Sequence, residues 1–263
     1  MYINLFDSHV HSDNSPEGRD LVTALCSAAV DKGISGICIT DACDMEEFEE
    51  QKYGKRLMYS CFAAHKAQDI FSQQLIVTNG VEMCQPLADP DRAVQVIGEN
   101  RFDFVLGSLH KTRKYGDMMM LNYAHPALDL QDVFRSYYEE LLEVVQWGHF
   151  DSLAHLGYPL RYLKPYNRTV DLAQIDDVFA EIMKSLVAQG KALELNTGGL
   201  RMEIEAFTPS NKYLQMYKDY GGEMITIGSD AECCSDIGCD IQAGLELLKS
   251  VGFKYFTVYK NRQ

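Results

Sequence analysis

The chain has 263 residues, 46% of them apolar, enough to bury one sizeable core and long enough for one large α/β domain or two small ones. Its 24 basic and 38 acidic residues leave a formal charge of −14, which argues against nucleic acid or an anionic membrane surface as partner, because both are gripped by basic patches that release counterions. No run approaches the roughly 18 apolar residues of a membrane span, the first residues lead into a polar, histidine-bearing segment rather than a signal peptide, and the eight cysteines of so long a chain point to free thiols in a reducing cytoplasm.

Short apolar runs of strand character alternate with amphipathic stretches. A strand is expected over residues 3–10, then a helix whose buried face is Leu21, Val22, Leu25, Ala28 and Ala29 and which ends at Gly33. Strands follow over 34–40, 75–81, 102–109 and 150–156. Leu172, Ile175, Phe179, Ile182, Met183 and Leu186 share a helical face before Gly190. Strands over 192–195 and 224–227 come next, and Ile241, Leu245, Leu248 and Val251 mark a last helix before Gly252. Such alternation implies parallel pairing with right-handed crossovers. Seven units approach a (β/α) barrel, although an open doubly wound sheet shows the same pattern. No linker, repeat or low-complexity tract divides residues 1–263, so one domain is expected, with the longer connections, 44–55, 111–126 and 161–169, bordering a site.

The strand ends carry the chemistry. Asp7, His9 and His11 follow the first strand, Thr40-Asp41 the second, Glu82 the third, His110 the fourth, His155 the fifth, Asn196 the sixth, and Asp230 and Glu232 the seventh. In a parallel barrel these ends share one face, where barrel enzymes keep their active sites. His9 and His11, two apart on a strand, point to the same side and can grip one ion. The plain alternative, a strand with two solvent-facing histidines, loses ground because four of the seven histidines lie at strand ends beside carboxylates, a donor mixture suited to Zn, Mn or Fe. Glu232 would equally suit an acidic loop before the next helix. His65, His125 and His149 fit surface or loop positions better than ligand positions, Asp7 is expected to orient a ligand histidine from behind, and Met118-Met119-Met120 suits a lid or packing strip. Cys233, Cys234 and Cys239, without a second thiolate pair, make no zinc signature.

Taken together, His9-Val-His11, Gly80-Val-Glu82, Gly107-Ser-Leu-His110, Ala154-His155-Leu-Gly-Tyr-Pro-Leu-Arg161-Tyr162, Glu194-Leu-Asn196-Thr-Gly-Gly-Leu-Arg201 and Gly228-Ser-Asp230-Ala resemble the polymerase-and-histidinol-phosphatase (PHP) family. The Arg161-Tyr162 and Asn196-to-Arg201 strings are most similar to its histidinol-phosphatase branch. The resemblance implies a distorted (β/α)₇ TIM-like barrel with two or three divalent ions, Zn, Fe or Mn. His9, His11, Glu82 and Asp230 would hold one ion, and Glu82 would bridge to a second held by His110 and His155. A third ion would use Glu17 and two further histidines, but the chain has Ala42 and Glu232 at those places. Either Glu17 and Glu232, with Asp41 or Asp44, form an all-oxygen site for a harder ion, or two metals remain.

The implied reaction is hydrolysis of a small phosphomonoester, foremost L-histidinol phosphate in histidine biosynthesis. Glu82 and Asp230 would serve the chemistry, and Arg161 and Arg201 would grip the phosphate, for which a planar guanidinium is suited. A salt bridge on the surface is the ordinary fate of an arginine. A phosphoesterase for nucleotides or other metabolites, and a metal-bound regulatory protein with weakened catalysis, are the alternatives. A small phosphorylated substrate is the expected partner, with no nucleic acid and no membrane.

Overall fold

The computed structural model describes residues 4–202 and 204–263. Ile3, where the first strand was expected to begin, lies outside them. Seven parallel strands form the framework: β1 (Phe6–Val10), β2 (Gly36–Ile39), β4 (Ile76–Cys84), β5 (Phe104–Ser108), β8 (Ser152–Leu153), β9 (Ala192–Asn196) and β10 (Ile225–Gly228). Nearly every residue in them is buried, because both faces of a parallel sheet are covered; this is why they read as continuous apolar runs.

Neighbouring strands pair in the order β1-β2-β4-β5-β8-β9-β10. The ring nearly closes where β1 meets β10: His11 N–H donates to the Ala231 carbonyl at 2.8 Å and Ala231 N–H to that of His9 at 3.3 Å. That seam turns the alternation into a barrel rather than an open sheet, the point on which periodicity was silent. A short strand, β3 (Ala42–Asp44), pairs beside the second half of β4 and puts Ala42 next to Glu82. At three residues it was too short to stand out in the sequence.

Helices wrap the barrel: α1 (Val22–Asp31), α2 (Tyr53–Phe71), α3 (Pro90–Asn100), α4 (Leu130–Trp147), α5 (Asp176–Ala188), α6 (Asn211–Asp219) and α7 (Ile241–Val251). Local chemistry sets their ends. Asp129 accepts from the N–H groups of Gln131 and Asp132 at the start of α4, and α7 stops at Gly252, whose φ of +96° suits glycine. The expected helical faces are buried, including Val22, Leu25 and Ala29 of α1 and Phe179, Ile182, Met183 and Leu186 of α5. No helix among the described residues is long and apolar enough to cross a membrane, and all eight cysteines are free thiols.

Two of the expected loops contain short order. An antiparallel hairpin of β6 (Lys111–Thr112) and β7 (Gly116–Asp117) lies over the strand ends, and 3₁₀ turns occupy Tyr158–Tyr162 and Lys164–Tyr166. At the opposite end the chain's last residues cross the barrel floor. Thr257 N–H donates to the Ile225 carbonyl, Phe256 and Tyr259 pack on Phe6 and Phe104, and Lys260 and Arg262 pair with Asp103 and Asp151.

Candidate metal centre

Parallel strands all end on one side, so the residues at those ends converge. Three groups of ligand atoms, each within 4.8 Å of one another, result: His9, His11 and Asp230; Glu82, His110 and His155; and His11, Glu17 and Glu82. Glu82 joins them. Its Oε2 lies 3.9 Å from His9 Nε2 and 3.7 Å from His11 Nε2, while its Oε1 lies 2.8 Å from His155 Nε2 and 3.4 Å from His110 Nε2. Asp230 Oδ1 closes the first group at 3.5 Å from His9 and 3.4 Å from His11.

The rings meet nitrogen to nitrogen. His9 and His11 approach Nε2 to Nε2 at 3.0 Å, His110 and His155 at 3.3 Å. Once deprotonated at Nε2, the facing rings would aim their lone pairs into the gaps, where carboxylates flank them. Imidazole and carboxylate at such spacing fit a borderline divalent cation.

Electrostatics follow from crowding these groups out of water. Burial opposes charge on His9, but Glu194 and Asp230 outweigh it and hold the imidazole well above its ordinary range. His11 feels the same contest, with Glu17 and Asp230 prevailing, and is raised to about 9. Burial wins at His155, which is lowered. Burial also opposes charge on Glu82 and Asp230, yet the histidines around each, with Arg161 for Asp230, hold both carboxyls well below their usual range. Two of the strand-end residues, His155 with φ +22° and Asp230 with φ +56°, have left-handed backbones that cost free energy in non-glycine residues.

Glu17 reaches His11 Nδ1 at 3.1 Å and accepts from Ser15 Oγ. The other acids named for a third site are occupied elsewhere. Glu232 pairs with exposed Arg19 at 3.1 Å, Asp41 accepts from Ser12 and Ser60, Asp44 lies 3.3 Å from Lys111 Nζ, and Ala42 offers no ligand atom. Among the described residues Glu17 groups with His11 and Glu82, while Glu232, Asp41 and Asp44 fall in none of the three groups.

Arg161 stands against the centre, its Nη2 3.5 Å from Asp230 Oδ2 and its guanidinium over the Tyr158 ring at 4.5 Å. Arg201 donates from Nη2 to the carbonyls of Ser229 and Asp230 and, unlike Arg161, does not line the cavity over the centre. Each arginine keeps a buried nitrogen without a hydrogen-bond partner, Arg161 Nε and Arg201 Nη1. A buried donor left unsatisfied costs about 1–3 kcal/mol.

That cavity has a volume of about 310 Å³. Beyond the residues already named, Tyr53, Tyr158, Tyr162 and Met119 provide apolar wall, and Glu47, Asp117 and Lys111 provide charge. Met118 is buried while Met119 and Met120 are exposed, so the methionine run is part packing and part rim.

One expectation about a supporting residue changes. Asp7 does not orient a ligand ring; its carboxylate accepts from Ser229 and from Gly238 N–H, fastening the loop after β10. The residue behind the histidines is Glu194, which spacing had left unassigned, bonded to His9 Nδ1 at 2.7 Å. Its signal was present: two residues before Asn196 on a strand, it shares that residue's face. Asn196 supports the same group, since its Nδ2 donates to both Glu194 and Asp230. His65 and His149 are exposed.

A parallel barrel with histidines and carboxylates gathered at its strand ends defines a metal-site class of protein, and comparison with known proteins narrows it. The model of the PHP domain matches residues 7–198, and the chain belongs to that family. It is 29% identical over 260 residues to the "Probable histidinol-phosphatase" of Thermotoga maritima, covering 97% of this chain and 95% of that one. It is 27% identical to the histidinol-phosphatase of Lactococcus lactis subsp. lactis, covering 94% and 91%. Among solved structures, the histidinol phosphate phosphatase of that organism, complexed with Zn, L-histidinol and phosphate, superposes with a TM-score of 0.80 at 23% identity, over 100% of this chain and 99% of that one. This last likeness is one of fold.

Proposed function

We propose that the chain is a metal-dependent phosphomonoesterase whose substrate is L-histidinol phosphate, as in its relatives of that name. The observation that most supports it is Glu82, one carboxylate facing His9 and His11 with one oxygen and His110 and His155 with the other. His9, His11, Glu82 and Asp230 would hold one divalent ion, and Glu82, His110 and His155 a second. Ions held there would supply an activated water and neutralise phosphoryl oxygens during in-line displacement.

The chain's own residues do the rest. Arg161, braced on Tyr158 and Asp230, lines the cavity and would grip a phosphate oxygen, while Arg201 holds the Asp230 loop through the Ser229 and Asp230 carbonyls. Buried Glu82 and Asp230 stay ionised and acceptor-only, so neither competes as a proton donor at neutral pH. The cavity suits a small ester. Its outer lining of Glu17, Glu47, Asp117 and Glu232 favours an alcohol half that carries positive charge, such as an amine with an imidazole, over a polyanionic nucleotide.

Two ions rather than three are favoured by Ala42 and by the partners that Glu232, Asp41 and Asp44 already have. Metal quantification on protein purified without chelator is expected to give two equivalents. A third, bound under added Mn or Mg and lost in Glu17→Gln, contradicts this count. Free thiols are consistent with a reducing compartment such as the cytoplasm.

Phosphate release from histidinol phosphate, a nucleoside monophosphate and an aryl phosphate, by metal-free protein resupplied with Zn, Mn or Fe, tests the function. Strong preference for the first is expected. Preference for the nucleotide moves the substrate elsewhere, and no release with any metal by folded protein leaves a binding protein.

A further inference from the structure

One buried carboxylate touches both halves of the centre. Glu194, on β9, is fully buried; its Oε1 meets His9 Nδ1 at 2.7 Å, while its Oε2 accepts the backbone N–H of His155 at 2.7 Å and an Asn196 Nδ2 hydrogen at 3.2 Å. His9 belongs to the first ligand group and His155 to the second. The close approach requires glycine at 228, where a Cβ would lie 2.7 Å from Glu194 Oε1 and 2.3 Å from His9 Cβ. The peptide N–H that Glu194 accepts belongs to the residue whose backbone φ is +22°. A conformation of that kind persists where surrounding contacts over-determine it.

We propose that Glu194 is the positioning residue shared by the two metal sites, setting the tautomer of His9 and anchoring the backbone that aims His155. The inference rests on the metal reading above. A carboxylate only accepts, so a neutral His9 bonded to it carries its proton on Nδ1 and presents the Nε2 lone pair toward His11, Glu82 and Asp230. The same carboxylate's other oxygen meets a donor that cannot change, the peptide N–H of His155.

This two-acceptor demand gives glutamine a specific defect. An amide has one accepting end and one donating end. With its oxygen kept for the His155 N–H, its NH₂ faces His9 Nδ1, and His9 must accept there and carry its proton on Nε2. The proton then occupies the lone pair that the first ion needs, while the second group keeps its geometry. Glu194→Gln is therefore expected to be selective between sites, which a loss of packing would not be.

The test titrates metal-free wild type, E194Q, E194A and H9A with Zn against a chromophoric chelator, with thermal melting of each in parallel. Wild type is expected to bind two equivalents. E194Q should keep one and bind the other roughly 10- to 100-fold more weakly, the same equivalent that H9A loses, and the double variant H9A/E194Q should lose no more than H9A. E194A, with neither acceptor, should weaken both. Wild-type affinity at both sites of E194Q overturns the inference, as does equal weakening of both in step with the melting temperature. If wild type binds no ion, the metal reading itself falls, and this inference with it.

Discussion

At the scale of single residues, Arg161 and His11 separate two kinds of contribution. Arg161 is held by Tyr158 and Asp230 and lines the cavity over the centre. Hydrogen bonds to charged groups contribute about 1.5–3 kcal/mol, so Arg161→Ala should weaken phosphomonoester binding roughly 10- to 100-fold with metal content unchanged. Unaltered steady-state kinetics would refute that. His155→Ala should instead lose metal from the second group, as measured by equilibrium dialysis. His9 and His11 carry the pH dependence: both are raised in the folded chain, His11 to about 9, so they stabilise the metal-free protein below their ordinary value of 6.5, and His11's share fades as pH rises through about 9. A metal must displace the same protons. Zn affinity at the first site should accordingly rise by at least about tenfold per pH unit between 7 and 9, and a flat profile across that range would contradict the assignment.

At the scale of elements, the barrel's two ends do different work. The strand ends carry the ligands, while the opposite end is closed by residues 253–263. Arg262 makes paired hydrogen bonds to buried Asp151, at 2.8 and 3.0 Å, and Asp151 in turn accepts from Val105 N–H. Arg262→Ala leaves a buried carboxylate short of its cation and should cost about 1–3 kcal/mol, visible as a lower denaturant midpoint with phosphatase turnover little changed at 25 °C. An unchanged midpoint would mean that Tyr259 and Phe256 hold the floor alone. The floor was not legible in the sequence, because its polar tail has neither strand nor helix periodicity. The strands were legible, since a strand buried on both faces leaves a continuous apolar run whatever its neighbours. β3 was not, and with it came the placement of Ala42 beside Glu82.

For the whole molecule, the formal charge of −14 includes Glu82 and Asp230, which face inward as candidate ligands. Two divalent ions would bring it to −14 + 4 = −10. Ligands that bind the folded chain alone stabilise it, by about 2.7 kcal/mol at a hundredfold excess over Kd. Chelation should lower the melting temperature and Zn should restore it. Insensitivity of the melt to chelator and Zn would argue that the ligand cluster is held by its own hydrogen bonds.

The sequence by itself determined which residues bear the chemistry. Ligand-type side chains at the ends of successive apolar runs must converge once those runs pair in parallel, so His9, His11, Glu82, His110, His155 and Asp230 could be gathered from spacing and resemblance. Only the tertiary structure decided how their partners are shared out. Whether Glu232 faces an ion or Arg19, whether Asp7 backs a histidine or fastens a loop, and that Glu194 reaches both ligand groups depend on contacts between strands far apart in the chain. Periodicity fixes the side on which a residue points, but a hydrogen bond at 2.7 Å depends on the register of strands against one another, and that is set by the closure of the barrel.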